Sequence, residues 1–225
     1  MKRPLTNLRR GLMALAFMGL LLVFSGRSIA PAAKWLGTAA AAGILAGYLV
    51  ILGASPGRLE QTVLSQAADI GLVAGFVFAG EILLEYLLLP ADNTLFGKWE
   101  YSLVYLLYLI AAVLAVRRTH RVRDGATAAA GAAIVASLLW VVTLLTVFYL
   151  FHGTHRQELV LRAEGDYEDF ARSGMTDFSA FILEDLMGAT FFHLLLGPIL
   201  AAVVGLGGGA LVEAFTAARP TPTDS

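Results

Sequence analysis

The sequence predicts an all-α fold, a polytopic membrane helix bundle of about six transmembrane helices with an amphipathic outer segment before the last helix. The chain has 225 residues, of which 58% are hydrophobic and only 15% charged, whereas an ordinary soluble domain has about 25% charged residues. The hydrophobic residues gather in six long runs, close to the roughly 20 apolar residues that a spanning helix needs. Runs of this length without alternation indicate helices rather than barrel strands. We expect the spans at 11–29, 35–54, 69–90, 100–116, 126–151 and 189–214.

The first run also has the composition of a secretory signal peptide, with a basic start, a short apolar stretch and small residues after it. A second hydrophobic span follows at once, and a polytopic protein needs no removable signal. We therefore expect an uncleaved first helix. Cleavage would leave five helices with the amino terminus outside.

Two basic clusters predict how the chain threads the membrane. One precedes the first helix (Lys2, Arg3, Arg9 and Arg10) and the other, "RRTHRVR" at 117–123, follows the fourth. Basic residues favour the cytoplasmic side, and six helices put both clusters on that side. We expect a bacterial inner (cytoplasmic) membrane, both termini cytoplasmic and segment 152–188 outside. Binding of anionic lipid head groups is the alternative role of the clusters.

The outer segment 152–188 is the longest soluble stretch, and it contains eight acidic residues and three arginines. Within it, 176–188 places Phe178, Phe181, Ile182 and Leu186 on one helical face, which predicts an amphipathic helix at the outer surface or leading into the last span. We expect a single membrane domain over 1–218 and a short disordered tail at 219–225.

Small residues recur four positions apart in three of the expected spans: Gly43 with Gly47, Gly71 with Gly75, and Gly205 with Gly209. Such pairs let helix backbones approach closely. They predict packing within the bundle, with homodimerisation or contact with other membrane subunits as the alternative.

Glu81 and Glu85 are out of place in the apolar run "AGEILLEYLLLP" at 79–90. An unpaired charge in the bilayer costs a few kcal/mol or more, so both side chains should face protein or water. They lie about 40° apart on the helical face that also carries Gly71 and Phe78. Two close carboxylates repel each other, so a shared proton or a bound cation would stabilise them.

Histidines are expected near these two glutamates, since His152, His155 and His193 fall at the same end of their helices. His193 shares its face with small residues and should point into the bundle. We take Glu81, Glu85 and His193 as candidates for binding a proton or a cation. A metal site formed by Glu81, Glu85, His152, His155 and His193 is a further hypothesis, because carboxylates and imidazoles bind transition metals.

No ligand spacing typical of a known metal site and no H-E-x-x-H motif supports that metal hypothesis. Tyr105 and Tyr108 are candidate hydrogen-bond partners for the glutamates. In the simplest alternative, such partners hydrogen-bond the two carboxyl groups, and the glutamates serve only to hold helices together. A second alternative is that the glutamates contact a further subunit of a complex.

Other chemistry has little support in the sequence. The absence of cysteine excludes disulfides, thiolate metal sites and cysteine nucleophiles, and no motif points to a particular cofactor. No serine lies in a G-x-S-x-G context, and the net charge of −1 gives no case for nucleic acid. The sequence therefore favours a small transport, sensing or accessory protein in the lipid bilayer over an enzyme. The alternatives are a non-catalytic subunit of a larger membrane complex and an intramembrane metal-dependent enzyme.

Overall fold

The computed structural model describes residues 5–54, 61–88 and 94–217. Within those ranges the chain forms eight helices and no strand: α1 (Leu5–Ile29), α2 (Trp35–Gly53), α3 (Gln61–Leu88), α4 (Thr94–Thr119), α5 (Val122–Leu150), α6 (His155–Glu164), α7 (Asp166–Ser173) and α8 (Phe178–Ala217). The six long helices, all except α6 and α7, are long and apolar enough to cross a membrane. The predicted all-helical fold with six candidate spans is confirmed.

The helix boundaries differ from the expected spans mainly in the third and last helices. Helix α3 begins at Gln61 rather than at residue 69, and Pro90, the expected outer boundary, lies outside the described residues. The amphipathic stretch 176–188 leads directly into the last span, because α8 runs without a break from Phe178 to Ala217. The expected tail at 219–225 also lies outside the described residues.

Helix α5 lies at the centre of the bundle and contacts α1, α3, α4 and α8. A run of small residues allows these close contacts, since Ala129, Ala132, Ala133 and Ala136 are fully buried. The closest approach is to α3, where a Cβ added at Gly71 would lie 2.5 Å from the Ala132 carbonyl oxygen.

The three glycine pairs have different surroundings. Gly71 and Gly75 contact α5, and a Cβ at Gly205 would lie 2.9 Å from Ala126 Cα. Gly43 and Gly47 on α2, in contrast, have no atom of another described part of the chain within 4 Å of an added Cβ. Two of the pairs therefore serve packing within the bundle, and the third faces outward.

Contacts between helix ends define two ends of the bundle. At one end, the Arg9 side chain donates a hydrogen bond to the Gly53 carbonyl and so joins the start of α1 to the end of α2. At the other end, which we call the α6–α7 end, Lys34 pairs with Glu184. There too the Tyr149 hydroxyl, near the end of α5, donates to the Leu22 carbonyl of α1 at 2.7 Å.

Because α5 ends beside the end of α1, its start lies at the same end of the bundle as the start of α1. The arginines at 9–10 and 117–123 therefore share one end, which we call the basic end. This grouping agrees with the expected threading.

Helix α8 carries a proline within its span. Pro198 has no N–H, so the carbonyl of Leu194, four residues earlier, loses its usual helical donor. The Tyr48 hydroxyl of α2 donates a hydrogen bond to that carbonyl. The Ser137 hydroxyl of α5 donates to the neighbouring His193 carbonyl at 2.9 Å. Helices α2 and α5 therefore supply hydrogen-bond donors in the turn of α8 where Pro198 removes one.

Candidate functional site

Glu81 and Glu85 lie on α3 near the α6–α7 end, and both side chains are half-buried. The same face of α3 carries Gly71 and Ala74, both buried, and Phe78, which is 5% exposed. The close packing of this face on α5 sets the rotation of α3. The two carboxylates consequently point toward protein rather than toward the lipid-facing surface.

Glu85 reaches a cavity of about 80 Å³ between α3, α5, α6 and α8. Four carboxylic acids line this cavity, which we call the acidic cavity: Glu85, Glu164, Asp166 and Asp185. Apart from the Tyr86 side chain, the rest of the wall is apolar and comes from Ile82, Leu144, Phe148, Leu161, Ile182 and Leu186. Apolar walls reduce the solvation of the acids, which makes their ionised forms more costly.

The acids of this cavity lie close together. The Glu85 and Glu164 carboxyl groups are within hydrogen-bonding reach of each other, and Asp166 is within reach of Glu164. Surrounding protein atoms, followed by the negative charges of Glu85 and Asp166, raise the pKa of Glu164 well above its ordinary value. Burial, followed by the charges of Asp185 and Asp169, raises the pKa of Asp166 to about 6. Glu164 is also exposed on one side, so solvent reaches the cavity from this end.

Helix α6 is held against α3 and α5 by polar contacts at its first turn. The Thr154 hydroxyl caps α6 by accepting from the Gln157 N–H at 3.3 Å. The Arg156 guanidinium donates to the Tyr86 carbonyl at the end of α3, and the Gln157 side-chain amide donates to the Phe148 carbonyl of α5 at 3.3 Å. At the far end of α6, Gly165 takes a left-handed conformation with a φ of 86° and turns the chain into α7. These contacts bring the acids beside Gly165 over α3.

Glu100 on α4 is a third acid inside the bundle. Its side chain is 7% exposed, and its Oε1 atom has no hydrogen-bond partner among the described residues. The charges of Glu81 and Glu85 both act on it. Carboxyl groups thus follow one another from Glu100 through Glu81 and Glu85 to the acidic cavity.

His193 on α8 lies in an aromatic environment. Its ring stacks on Trp140 of α5 with centroids 3.7 Å apart and meets the edge of Phe78 at 5.8 Å. Its Nε2 atom lies 3.4 Å from the Tyr101 hydroxyl of α4, and the charges of Glu100 and Glu81 act on Tyr101. His193 therefore lies beside Tyr101, which the negative charges of Glu100 and Glu81 reach.

The other two candidate histidines also lie at the α6–α7 end, where each contacts another group. His152 is exposed, with its ring 5.9 Å from that of Phe148. His155 is the first residue of α6 and pairs with Glu158 at 3.5 Å. Among the described residues, no three His, Asp or Glu side chains form a group that could hold a metal ion.

Sequence reasoning missed four residues of this site. Glu100 and Tyr101 lie at the start of an expected span, where charged and aromatic residues are ordinary and carry no functional signal. Glu164 and Asp166 belong to the expected soluble segment. Apart from Gly165, nothing in the sequence indicates that this segment turns back and packs against α3. The expected partners Tyr105 and Tyr108 instead line a second cavity with His193.

Comparison of the chain with protein-family models, with curated proteins and with solved structures finds no match. The six long apolar helices are compatible with a multi-pass membrane protein.

Proposed function

We propose that this chain is a multi-pass membrane protein that uses protonation of membrane-embedded carboxyl groups for transport or sensing. The observation that carries the proposal is the meeting of the Glu85 and Glu164 carboxyl groups in the acidic cavity. Two ionised carboxylates are both acceptors only, so a hydrogen bond between them needs a proton on one of them. We infer that the cavity shares such a proton at a pH where isolated glutamates are ionised.

The charges around this bond support the same conclusion. The groups that act most strongly on Glu164 are all negative: Glu85, Asp166 and Glu81. In the described part of the chain, none of the ion pairs involves Glu164, Asp166 or Asp185. Without an ion pair in the described part of the chain, Glu164, Asp166 and Asp185 are stabilised by taking up protons.

The positions of the acids suggest the direction in which a proton would move. Asp166 and Glu164 lie at the solvent-accessible α6–α7 end, Glu85 and Glu81 follow along α3, and Glu100 is buried between the helices. We propose that a proton entering from that end can reach Glu100 through these groups. By the positive-inside rule we expect the basic clusters and both termini in the cytoplasm, which would put the α6–α7 end outside.

Infrared spectroscopy of the purified protein in mild detergent tests the shared proton. A protonated carboxyl group has a C=O stretch separate from the bands of an ionised carboxylate. We expect this band at neutral pH in the wild-type protein, and its loss or shift in both Glu85→Gln and Glu164→Gln. Glu168→Gln is the matched control, because Glu168 is an exposed acid outside the cavity on the same segment. A wild-type spectrum without a protonated carboxyl band would contradict the proposal.

A second measurement separates transport from sensing. Liposomes that hold the protein and an internal pH dye should acidify faster than empty liposomes when the outside is made acidic. Glu85→Gln should slow the change, whereas Glu168→Gln should not. Equal rates in all samples, together with the infrared band, would assign the protonation to sensing.

A second candidate function, a non-catalytic subunit of a larger membrane complex, is favoured by the outward-facing pair Gly43 and Gly47. A stoichiometric second chain should then co-purify in mild detergent and be lost in Gly43→Leu/Gly47→Leu. Gly11→Leu is the control, since Gly11 is exposed on α1 with no atom of another described part of the chain near an added Cβ. Purification of the wild-type chain alone would count against this function.

A further inference from the structure

A second cavity, of about 150 Å³, lies between α3, α4, α5 and α8. Its floor is formed by the buried residues Phe78, Val104, Tyr108 and Ser137. At its mouth are exposed residues of α4 and α8, among them Tyr101, Phe192 and Leu200. Both helices are candidate membrane spans over these residues. The mouth therefore faces the hydrocarbon region, and we call this space the lipid-facing cavity.

The walls of the lipid-facing cavity suit a ring. An apolar protein cavity of about 150 Å³ is large enough for benzene. The lining includes the aromatic side chains of Phe78, Tyr101, Tyr105, Tyr108, Phe192 and His193. Aromatic rings favour another ring in offset or edge-to-face contact by about 0.5–1.5 kcal/mol beyond the burial of area.

Polar groups also converge on this cavity. The Tyr101 hydroxyl and His193 Nε2 are 3.4 Å apart, which is longer than a well-formed hydrogen bond. The rings of Tyr105 and Tyr108 meet edge to face with centroids 5.8 Å apart, and both line the cavity. The Ser137 hydroxyl already donates to the His193 carbonyl. Hydroxyl groups and one imidazole nitrogen are therefore available to a ligand.

We propose that the lipid-facing cavity binds the ring of a lipid-soluble molecule that carries hydrogen-bonding oxygens, the chemistry of a quinone head group. A saturated acyl chain would cover the apolar walls but would leave the hydroxyl and imidazole groups without partners, which is unfavourable in a dry site. A ring with carbonyl or hydroxyl oxygens packs against the aromatic side chains and also hydrogen-bonds the hydroxyl and imidazole groups. Its apolar tail would extend through the mouth into the bilayer.

Trp140 supplies a reporter for this binding, because its ring stacks on His193 at the wall of the cavity. The other two tryptophans, Trp35 and Trp99, are both exposed. In the variant Trp35→Phe/Trp99→Phe, all tryptophan fluorescence comes from Trp140. A short-chain benzoquinone accepts an electron from excited tryptophan and should quench this fluorescence in a saturable way as it is titrated.

Variants of the lining test where the quinone binds. Leu200→Phe narrows the mouth and should remove the saturable component, whereas Val203→Phe, at an exposed position of α8 outside the cavity, should leave it unchanged. Tyr101→Phe keeps the ring and removes one hydroxyl. It should weaken binding about tenfold, the usual worth of one hydrogen bond.

Two results would overturn the proposal. Quenching that rises linearly, or that is the same in Leu200→Phe and Val203→Phe, would mean that the quinone only partitions into the detergent. Saturable quenching that a saturated long-chain alcohol reverses as well as a second benzoquinone does would mean that the cavity takes an acyl chain. Neither result bears on the protonated carboxyl band, so this proposal and the protonation proposal can fail separately.

Discussion

The Tyr48 hydroxyl donates a hydrogen bond to the Leu194 carbonyl, the oxygen that Pro198 leaves without a donor in its own helix. The bond joins α2 to α8 inside the bundle, and Tyr48 is 9% exposed. A proline within a spanning helix is tolerated when a neighbouring helix supplies the missing donor.

Tyr48→Phe should therefore destabilise the protein by about 1 kcal/mol, because the Leu194 carbonyl loses its partner. The measurement is unfolding in detergent, followed by tryptophan fluorescence. In the Pro198→Ala background the residue-198 N–H can reach the carbonyl, so the same change at Tyr48 should cost less. Strict additivity of the two changes would contradict this explanation.

Gly71→Ala should destabilise the protein by about 1–3 kcal/mol, the usual cost of overpacking. The added Cβ would lie 2.5 Å from the Ala132 carbonyl oxygen, a backbone atom that cannot move aside without shifting α5. Gly43→Ala is the matched control, since an added Cβ there meets nothing within 4 Å in the described chain. Equal melting temperatures for the two variants would show that α3 and α5 are not this close.

Glu184 stabilises the start of α2 from α8. Its carboxylate accepts from the Lys34 backbone N–H at 2.8 Å and lies 3.5 Å from the Lys34 ammonium nitrogen. Glu184→Ala should cost about 1 kcal/mol, similar to the loss of a helix N-cap. Glu184→Gln keeps an oxygen acceptor and should cost less, because exposed ion pairs contribute little. A loss of stability as large in the glutamine variant would mean that the charge matters more than the hydrogen bond.

Stability should fall as the pH rises from about 4 to about 6. The pKa of Asp166 is raised from 3.8 to about 6 in the folded protein, so the folded state binds the proton more tightly than the unfolded chain does. Its contribution is complete below pH 4 and is lost through that window. Asp166→Asn should flatten this part of the profile, measured as melting temperature against pH.

The pKa of Glu158 is shifted in the opposite direction to that of Asp166, so its effect on stability has the opposite dependence on pH. Hydrogen bonds from Arg162 and His155 lower the pKa of Glu158, so its contribution is lost as the pH falls below the ordinary glutamate value. Glu158→Gln should therefore leave the decline between pH 4 and 6 in place. A decline that persists in Asp166→Asn and disappears in Glu158→Gln would reverse the two assignments.

Much of the fold follows from composition and periodicity. Long apolar runs predict helices because lipid leaves the backbone no other partners, and the spacing of Gly71 and Phe78 correctly placed Glu81 and Glu85 on the packed face of α3. The start of α3 at Gln61 was missed because its first two turns contain polar residues, which a hydropathy pattern assigns to a loop.

The site was less predictable than the fold because it depends on contacts between distant parts of the chain. The return of α6 over α3 includes a bond from Arg156 to the Tyr86 carbonyl, and a backbone oxygen leaves no mark in the sequence. Without that contact, Glu164 reads as an ordinary surface acid. His193 was expected inside the bundle. Its stacking on Trp140 could not be predicted, because it depends on how α5 and α8 are rotated against each other, and only tertiary packing sets that rotation.

Helix α8 has 40 residues, which at about 1.5 Å per residue gives a rod about 60 Å long. The hydrocarbon layer is only about 30 Å thick, so the rod is tilted or stands well clear of one membrane surface. Asp185, in the wall of the acidic cavity, and His193, in the wall of the lipid-facing cavity, are about 12 Å apart along it. Because α8 forms part of the wall of both cavities, a movement of this helix that widens one cavity also displaces the wall of the other.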